Sequence, residues 1–173
     1  MSKKLTDYIN TYMDFPEPGI AFKDVMPLLW HPEAMQLCIE ELKTAAQEFE
    51  FDFIAGFEAR GFLFGTPLAY ALKKPFVPLR KAGKLPGEIV CQGYALEYGE
   101  AVLEMQLHMI GPGSKVLLFD DLLATGGTLD AGVKLIEKVG AEVAGVLTMI
   151  ELAGLQGRTK LQGFKVRSLV EFE

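Results

Sequence analysis

The stretch VLLFDDLLATGGT, from Val116 to Thr128, decides the fold because it joins an apolar strand, two acids and a glycine turn in one piece of chain. Residues 116–119 form a short apolar run, typical of strands that are buried on both faces of a parallel sheet. We expect Asp120 and Asp121 at the carboxyl end of this strand. In open α/β sheets the ligand crevice lies outside those strand ends, so paired carboxylates there are placed to accept hydrogen bonds from sugar hydroxyls.

A phosphate-binding loop is predicted directly after the acids, in the run Thr125, Gly126, Gly127, Thr128. Two residues without a Cβ let the backbone N–H groups come close to a ligand, and the two threonines add hydroxyl donors. Apolar residues then recur at helical spacing over residues 129–140, so the run opens a helix whose N-terminus favours an anion. The alternative is an ordinary strand–turn–helix crossover, which needs neither two acids nor this run.

The remaining sequence predicts one α/β domain over residues 1–173. The chain is 50% hydrophobic, enough for one compact core, and no linker or repeat divides it. Alternation of apolar strands with helices indicates βαβ units and a mainly parallel sheet with helices on both faces. The predicted helices are 32–50 and 61–72, and the predicted strands, besides 116–119, are 51–57, 75–79 and 143–150.

A mobile loop is predicted at residues 80–93, because Gly, Pro and Lys are frequent there and no apolar period is present. Residues 95–98 and 101–105 are predicted to pair as a hairpin at the sheet edge.

Composition excludes several classes of function. A net charge of −6 argues against nonspecific nucleic-acid binding, which needs a broad basic surface. No segment approaches the roughly 18 apolar residues of a membrane span, and the first residues lack a signal-peptide core, so we expect a soluble cytoplasmic protein. Cys38 and Cys91 are predicted to be reduced thiols, and His31 and His108 to be structural, since neither pair has metal-site spacing.

The thirteen residues of the opening stretch resemble the phosphoribosyl-diphosphate (PRPP) signature of the type I phosphoribosyltransferases. Five further stretches occur in that family's order and narrow the resemblance to its adenine-specific members. They are FPEPGIAFKD (Phe15–Asp24), GFEARGFLFG (Gly56–Gly65), RKAGKLPGE (Arg80–Glu88), YALEYG (Tyr94–Gly99) and ELAGLQGRTKL (Glu151–Leu161).

This resemblance implies transfer of the 5-phosphoribosyl group of PRPP to adenine, giving AMP and pyrophosphate in purine salvage. It also implies Mg²⁺ as cofactor, a homodimer, a small hood built from about residues 15–24 and 151–173, and a mobile catalytic loop at about 80–98. By resemblance, Asp120 and Asp121 bind the ribose hydroxyls, directly or through magnesium. The residues that grip the 5′-phosphate are then Ala124, Thr125, Gly126, Gly127 and Thr128.

The pyrophosphate ligands implied by the resemblance lie in two segments. Glu58, Ala59 and Arg60 follow a strand, and Arg60 is the natural ligand because its planar guanidinium meets phosphate oxygens bidentately. Family members often hold a cis non-proline peptide here, which we predict between Glu58 and Ala59. The second segment supplies Arg80, Lys81 and Lys84. The alternatives are a surface ion pair for the first segment and a solvated charged face for the second.

Glu97 is expected to manage the proton on the purine imidazole nitrogens, with Tyr98 beside it and Arg60 as a further catalytic residue. The alternative for Glu97 and Tyr98 is two exposed residues of an edge strand. The adenine site implied by resemblance is the backbone of Ala21, Phe22 and Lys23, with Phe22 as an apolar wall.

Lys23 departs from the family, which generally carries Arg at this position, and a lysine loses the planar fork. Two other functions stay open at this point. One is the same chemistry with hypoxanthine, guanine or xanthine, and the other is a non-catalytic regulator that senses PRPP or nucleotides.

Overall fold

The computed structural model describes residues 4–95 and 100–173, with the backbone alone at Ala95. Short 3₁₀ helices lie at Leu5–Tyr8, Ala153–Leu155 and Gly157–Leu161. The α-helices are α1 (Pro27–Trp30), α2 (Pro32–Ala46), α3 (Arg60–Leu72) and α4 (Gly127–Lys138). The strands are β1 (Asn10–Met13), β2 (Ala21–Asp24), β3 (Phe53–Phe57), β4 (Phe76–Lys81), β5 (Ile89–Ala95), β6 (Glu100–Gln106), β7 (Lys115–Leu123), β8 (Glu142–Leu152) and β9 (Val166–Phe172).

A seven-stranded sheet with the order β5-β6-β4-β3-β7-β8-β9 forms the centre of the molecule. The five strands β4, β3, β7, β8 and β9 are parallel to one another, whereas β6 pairs antiparallel with both β4 and β5. The mainly parallel α/β fold predicted from the sequence is therefore confirmed.

Both faces of β7 are buried, as its unbroken apolar run predicts. Leu117 and Phe119 belong to the apolar cluster that includes residues of α2 and α3. Val116 and Leu118 belong to the cluster on the other face, which includes residues of α4. The alternation places one layer of helices on each side of the sheet and fixes the direction in which β7 delivers the residues that follow.

The sequence analysis placed Asp120 and Asp121 at the carboxyl end of the strand, and this was wrong. Both acids lie inside β7, which continues to Leu123. Its pairing with β8 runs as far as Leu123 and Glu151, whereas its pairing with β3 ends at Gly56 and Phe119. The apolar run alone could not show this, because the strand is prolonged by hydrogen bonds to β8. The acids thus border an open crevice only on the side where β3 has already ended.

The region predicted as a mobile loop contains a strand. Residues 89–95 form β5 and pair with β6 from Ile89↔Gln106 to Ala95↔Glu100. The apolar pattern missed this strand because an edge hairpin is stabilised by main-chain hydrogen bonds and needs no buried face on both sides. The hairpin predicted for residues 95–98 and 101–105 is wrong in its first strand, because residues 101–105 pair with residues 90–94 of β5. Residues 96–98 lie outside the described part of the chain.

The two segments predicted to form a hood take different positions in the fold. β1 and β2 form a separate two-stranded antiparallel sheet around residues 15–24. In the C-terminal segment, however, β9 joins the main sheet beside β8, and only residues 153–161 lie outside it as 3₁₀ turns. In the described ranges, each helix is too short or too polar to cross a lipid bilayer.

Candidate active site

A cleft of about 300 Å³ lies at the carboxyl edge of the sheet, where the loop after β7 meets the loop after β3. It brings together most of the residues predicted for ribose, 5′-phosphate and pyrophosphate. Tyr94, Leu103 and Leu122 also line it, and the sequence offered no signal for them beyond their positions on or beside the strands. The predicted residues in the cleft wall are Glu58, Ala59, Arg60, Lys81, Asp120, Asp121, Ala124, Thr125, Gly126, Gly127 and Thr128.

The loop of residues 124–128 has the properties of an anion site. Gly126 adopts φ +78°, a left-handed conformation that favours glycine, and it is the residue from which α4 starts. Among the described residues, none accepts a hydrogen bond from the backbone N–H groups of 125–128. Unpaired N–H groups at the N-terminus of a 12-residue helix attract an anion through both hydrogen bonding and the helix dipole.

Asp120 and Asp121 form a tight acidic pair beside that loop. Arg60 Nε lies 2.9 Å from Asp121 Oδ2, and the backbone N–H of Asp121 donates to Asp120 Oδ1 at 2.9 Å. Loss of hydration raises the pKa of Asp120 well above its usual range, and the neighbouring Asp121 charge raises it further. Loss of hydration also raises the pKa of Asp121, although Arg60 opposes the shift. The pair is thus prepared for a ligand that replaces the lost water with hydroxyl donors or a cation.

Close packing of α3 on β7 brings Arg60 to the acids. Gly61 is buried, and a Cβ at this position would lie 3.0 Å from Asp120 Oδ1. Only glycine therefore lets the start of α3 approach the acid-bearing part of β7 without displacing the carboxylate. The predicted cis peptide between Glu58 and Ala59 is present immediately before the helix.

Glu58 gathers the basic residues after β4. Its carboxylate accepts hydrogen bonds from Lys84 Nζ at 2.8 Å, from Arg80 Nη2 at 3.3 Å and from the backbone N–H of Lys81. Partial burial raises the pKa of Glu58, but these bonds outweigh it and hold the pKa below the usual range. Of the three predicted cations, Lys81 alone lines the cleft, and Arg80 and Lys84 reach its edge through Glu58.

A second, more apolar pocket of about 550 Å³ lies between the β1–β2 hairpin and Arg60. Phe22 lines it as predicted, with the Arg60 guanidinium 5.3 Å from the centre of the Phe22 ring. Phe15 meets Phe22 edge to face at 5.2 Å between ring centres. The sequence analysis missed its other lining residues, although the pairing of Tyr12 with Phe22 puts both on one face of the hairpin. They are Tyr12, Met13, Asp14, Asp24 and Met26.

Ala21 and Lys23 do not line this pocket. Lys23 alternates with Phe22 along β2, so its side chain leaves on the opposite face. There Lys23 Nζ donates to Thr11 Oγ1 at 3.0 Å and lies 4.3 Å from the centre of the Phe172 ring. The Lys23 side chain therefore takes no part in the pocket wall and instead contributes to the contact of the hairpin with β9.

Glu97 and Tyr98, predicted as catalytic, lie outside the described part of the chain. Their neighbour Tyr94 does line the cleft, at the end of β5.

The remaining candidate ligands form no site of their own. Cys38 is buried and Cys91 exposed, both as free thiols, and burial raises the pKa of Cys38 to about 12. His108 Nε2 lies 2.8 Å from Glu88 Oε2 on an exposed surface. Over the described ranges, no three His, Cys, Asp or Glu side chains are grouped as a metal site. The Asp120 and Asp121 carboxylates suit Mg²⁺, which binds through one or two carboxylates together with substrate oxygens.

The chain is similar to known proteins over nearly its whole length. Residues 28–169 match the family model described as phosphoribosyl transferase domain. An adenine phosphoribosyltransferase of Ruminiclostridium cellulolyticum is 52% identical over 97% of this chain and 99% of its own length. The crystal structure of the enzyme of that name from Thermoanaerobacter pseudethanolicus superposes with a TM-score of 0.94 at 46% identity, covering 97% of this chain and 98% of its own. The structure of the Saccharomyces cerevisiae enzyme, solved with an imino-altritol bisphosphate and adenine, superposes with a TM-score of 0.90 at 41% identity. It covers 95% of this chain and 96% of its own.

Proposed function

This chain belongs to the phosphoribosyltransferase family, among its adenine-specific members, and from that premise we propose how its residues divide the work of the reaction. The enzyme transfers the 5-phosphoribosyl group of PRPP to adenine and releases pyrophosphate, giving AMP for purine salvage. The observation that carries the assignment of roles is the loop of residues 124–128, whose unpaired N–H groups border the same cleft as two desolvated aspartates.

The 5′-phosphate is bound by the backbone of Ala124 to Thr128, and the ribose hydroxyls by Asp120 and Asp121. Transfer requires C1 of the sugar to develop positive charge, so preorganised charges around it lower the barrier. The two carboxylates stabilise a sugar cation. Before the substrate binds, Arg60 compensates part of their negative charge through its ion pair with Asp121. Asp120 and Asp121 would hold Mg²⁺ together with PRPP, and the metal would supply further neutralisation of the diphosphate charge.

Pyrophosphate departs toward Arg60, Arg80, Lys81 and Lys84. Glu58 holds Arg80 and Lys84 at 3.3 and 2.8 Å in the free protein, so these cations are already near the edge of the cleft when PRPP arrives. The polyanion then competes with one carboxylate for them. Arg60 is the best placed of the four, because it borders both the cleft and the apolar pocket and so lies between the leaving group and the base.

Adenine occupies the apolar pocket, against Phe22 and under Phe15. Phe22, the residue of the 21–23 segment that lines the pocket, supplies a backbone donor for purine N1 and a backbone acceptor for the 6-amino group. Glu97 manages the proton on the imidazole nitrogens, with Tyr98 beside it.

The proposal is tested by an absorbance assay that supplies adenine, PRPP and Mg²⁺ singly and together. AMP and pyrophosphate are expected to appear in equal amounts when all three are present. Hypoxanthine, guanine and xanthine serve as competing acceptors in the same assay. A higher kcat/KM for an oxopurine contradicts the adenine assignment, and turnover that is unchanged by chelation of Mg²⁺ contradicts the role of the metal.

A homodimer is a further part of the proposal. Trp30, the only tryptophan of the chain, is 69% exposed, and Leu29 beside it is 37% exposed. Burial of such side chains against a second copy removes an unfavourable apolar contact with water.

A further inference from the structure

The segment ELAGLQGRTKL, Glu151 to Leu161, has no role in the site as described so far, yet it touches the phosphate loop. Gly157 is buried, and a Cβ at this position would overlap the carbonyl oxygen of Ala124 and lie 3.0 Å from the backbone nitrogen of Gly126. A Cβ at Gly126 would in turn overlap the carbonyl oxygen of Gly157. The two backbones are therefore in direct contact, and the position of Gly157 limits the shape that the loop can adopt.

Arg158, the next residue, fixes Gly157 to the sheet. Its Nε and Nη2 donate to the two carboxylate oxygens of Glu151, each at 2.6 Å, in a bidentate ion pair. Its Nη1 donates to the carbonyl oxygen of Val166 at 3.0 Å. One side chain thus connects the 3₁₀ turn to the end of β8 and to the start of β9, and a planar guanidinium holds such contacts in one geometry.

Glu151 is itself fixed in the sheet. It is 5% exposed and accepts a hydrogen bond from Ser168 Oγ at 2.7 Å, and Ser168 Oγ lies 2.9 Å from Thr148 Oγ1. Glu151 also pairs with Leu123, the last residue of β7 before the phosphate loop. Glu151 therefore contacts the end of β7 directly, and through Arg158 it is connected to Gly157 on the other side of the loop.

We propose that Glu151 and Arg158 are positioning residues that hold Gly157 against residues 124–126 and thereby keep the loop in the shape that binds the 5′-phosphate of PRPP. Without the ion pair, the turn around Gly157 moves away from the loop, and the N–H groups of the loop no longer point toward one phosphate. This inference rests on the function proposed for the loop. It assigns to the Glu151–Arg158 pair an effect on one subsite, because neither residue lines the cleft or the apolar pocket.

The test measures two ligands that probe different subsites. Ribose 5-phosphate reports on the phosphate loop, and pyrophosphate with Mg²⁺ reports on Arg60 and the basic residues after β4. Dissociation constants are measured by calorimetry for the wild-type protein, Glu151→Gln, Arg158→Ala, Arg158→Lys and Gly157→Ala, together with KM for PRPP, KM for adenine and Tm. Arg167→Ala is the matched control, because Arg167 lies on β9 and pairs 3.3 Å from Glu48, away from the loop.

Glu151→Gln, Arg158→Ala and Gly157→Ala are expected to weaken ribose 5-phosphate binding by about tenfold to a hundredfold, the scale on which a displacement near 1 Å acts. KM for PRPP should rise in parallel, while pyrophosphate binding and KM for adenine stay within about twofold. Arg158→Lys keeps the charge and should recover part of the affinity, which also covers the case in which Arg158→Ala does not fold. Arg167→Ala should match the wild type in every ligand measurement.

Equal weakening of ribose 5-phosphate and pyrophosphate by these variants would show a general structural role and overturn the proposal. Unchanged affinity for ribose 5-phosphate would overturn it as well, since the buried Leu161 would then suffice to hold the turn. If the wild-type protein itself binds pyrophosphate but not ribose 5-phosphate, the function proposed for the loop fails, and the positioning role fails with it.

Discussion

The position of Asp120 and Asp121 in the cleft reduces the stability of the folded protein, because their carboxylates lose hydration there. The folded state raises the pKa of both carboxyls, mainly through loss of hydration. Below the ordinary aspartate pKa both states are protonated and the raised pKa costs nothing. As the pH rises, the unfolded state loses its protons first, so stability falls until the raised pKa of the folded state is passed.

Asp120→Asn is therefore expected to raise the Tm of the ligand-free protein at neutral and alkaline pH, with a gain that shrinks as the pH approaches 4. The same change should lower kcat/KM for PRPP by about 10- to 100-fold, because hydrogen bonds to charged groups contribute about 1.5–3 kcal/mol. Thermal unfolding at several pH values and steady-state kinetics measure the two effects.

The matched control for this change is Asp130→Asn, which removes an acid of α4 that pairs with Lys134 at 2.7 Å. It should change kcat/KM by less than about twofold, since exposed i,i+4 pairs contribute only about 0.3–0.5 kcal/mol. A Tm for Asp120→Asn below that of the wild type at pH 8 would contradict the cost assigned to the acidic pair.

Glu97→Gln tests the residue expected to handle the purine proton. General acid–base help contributes about 10²–10⁴-fold, so kcat should fall within that range while KM for PRPP changes little. Glu100→Gln, an exposed position at the start of β6, is the control and should keep wild-type kcat. Loss of kcat and of PRPP affinity to the same degree would remove Glu97 from this role.

At the scale of elements, one carboxylate shapes the turn that follows β4. Glu58 is 9% exposed at its side chain and connects the loop after β3 to Arg80, Lys84 and the N–H of Lys81. Because its pKa is lowered, the stability that Glu58 contributes is present above the ordinary glutamate pKa and is lost as the pH falls through the lowered value.

Glu58→Gln should lower the free energy of unfolding by about 1 kcal/mol at pH 7, and the difference from the wild type should vanish in acid. Amide exchange over residues 81–84 should become several-fold faster, while β8, an interior strand of the sheet, keeps its protection. Chemical denaturation measures the free energy of unfolding, and hydrogen exchange read by mass spectrometry measures the exchange rates of residues 81–84 and of β8. Glu88→Gln, at an exposed pair with His108, should alter neither, and unchanged exchange at 81–84 in Glu58→Gln would rule out control of the turn by Glu58.

At the scale of the whole molecule, a homodimer is expected to cover Trp30. Analytical ultracentrifugation should give twice the chain mass of 19.1 kDa at micromolar concentration. Tryptophan emission should shift to longer wavelength on dilution, because Trp30 is the only tryptophan and is exposed in the single chain. Trp30→Lys should favour the single chain. A sedimenting species of one chain mass at all concentrations contradicts the dimer.

The sequence by itself determined the strand, the acids, the loop and the helix from Val116 to Thr128, because these features are consecutive and follow from local rules. Apolar residues on both faces of a strand require a covered sheet, and a run of glycines and threonines requires an open turn. Phe22 and Arg60 were predicted as site residues through the resemblance of their short motifs to those of the family.

Only the tertiary structure decided where those pieces end and what they face. β7 continues past the acids because β8 accompanies it, and residues 89–95 form a strand because β6 offers an edge. Formation of the β1–β2 hairpin places Lys23 on the face opposite Phe22, where it contacts Thr11 and Phe172. Contact of Gly157 with the phosphate loop joins residues more than thirty positions apart in the sequence. These outcomes depend on hydrogen bonds and contacts between distant segments, which no local pattern of residues specifies.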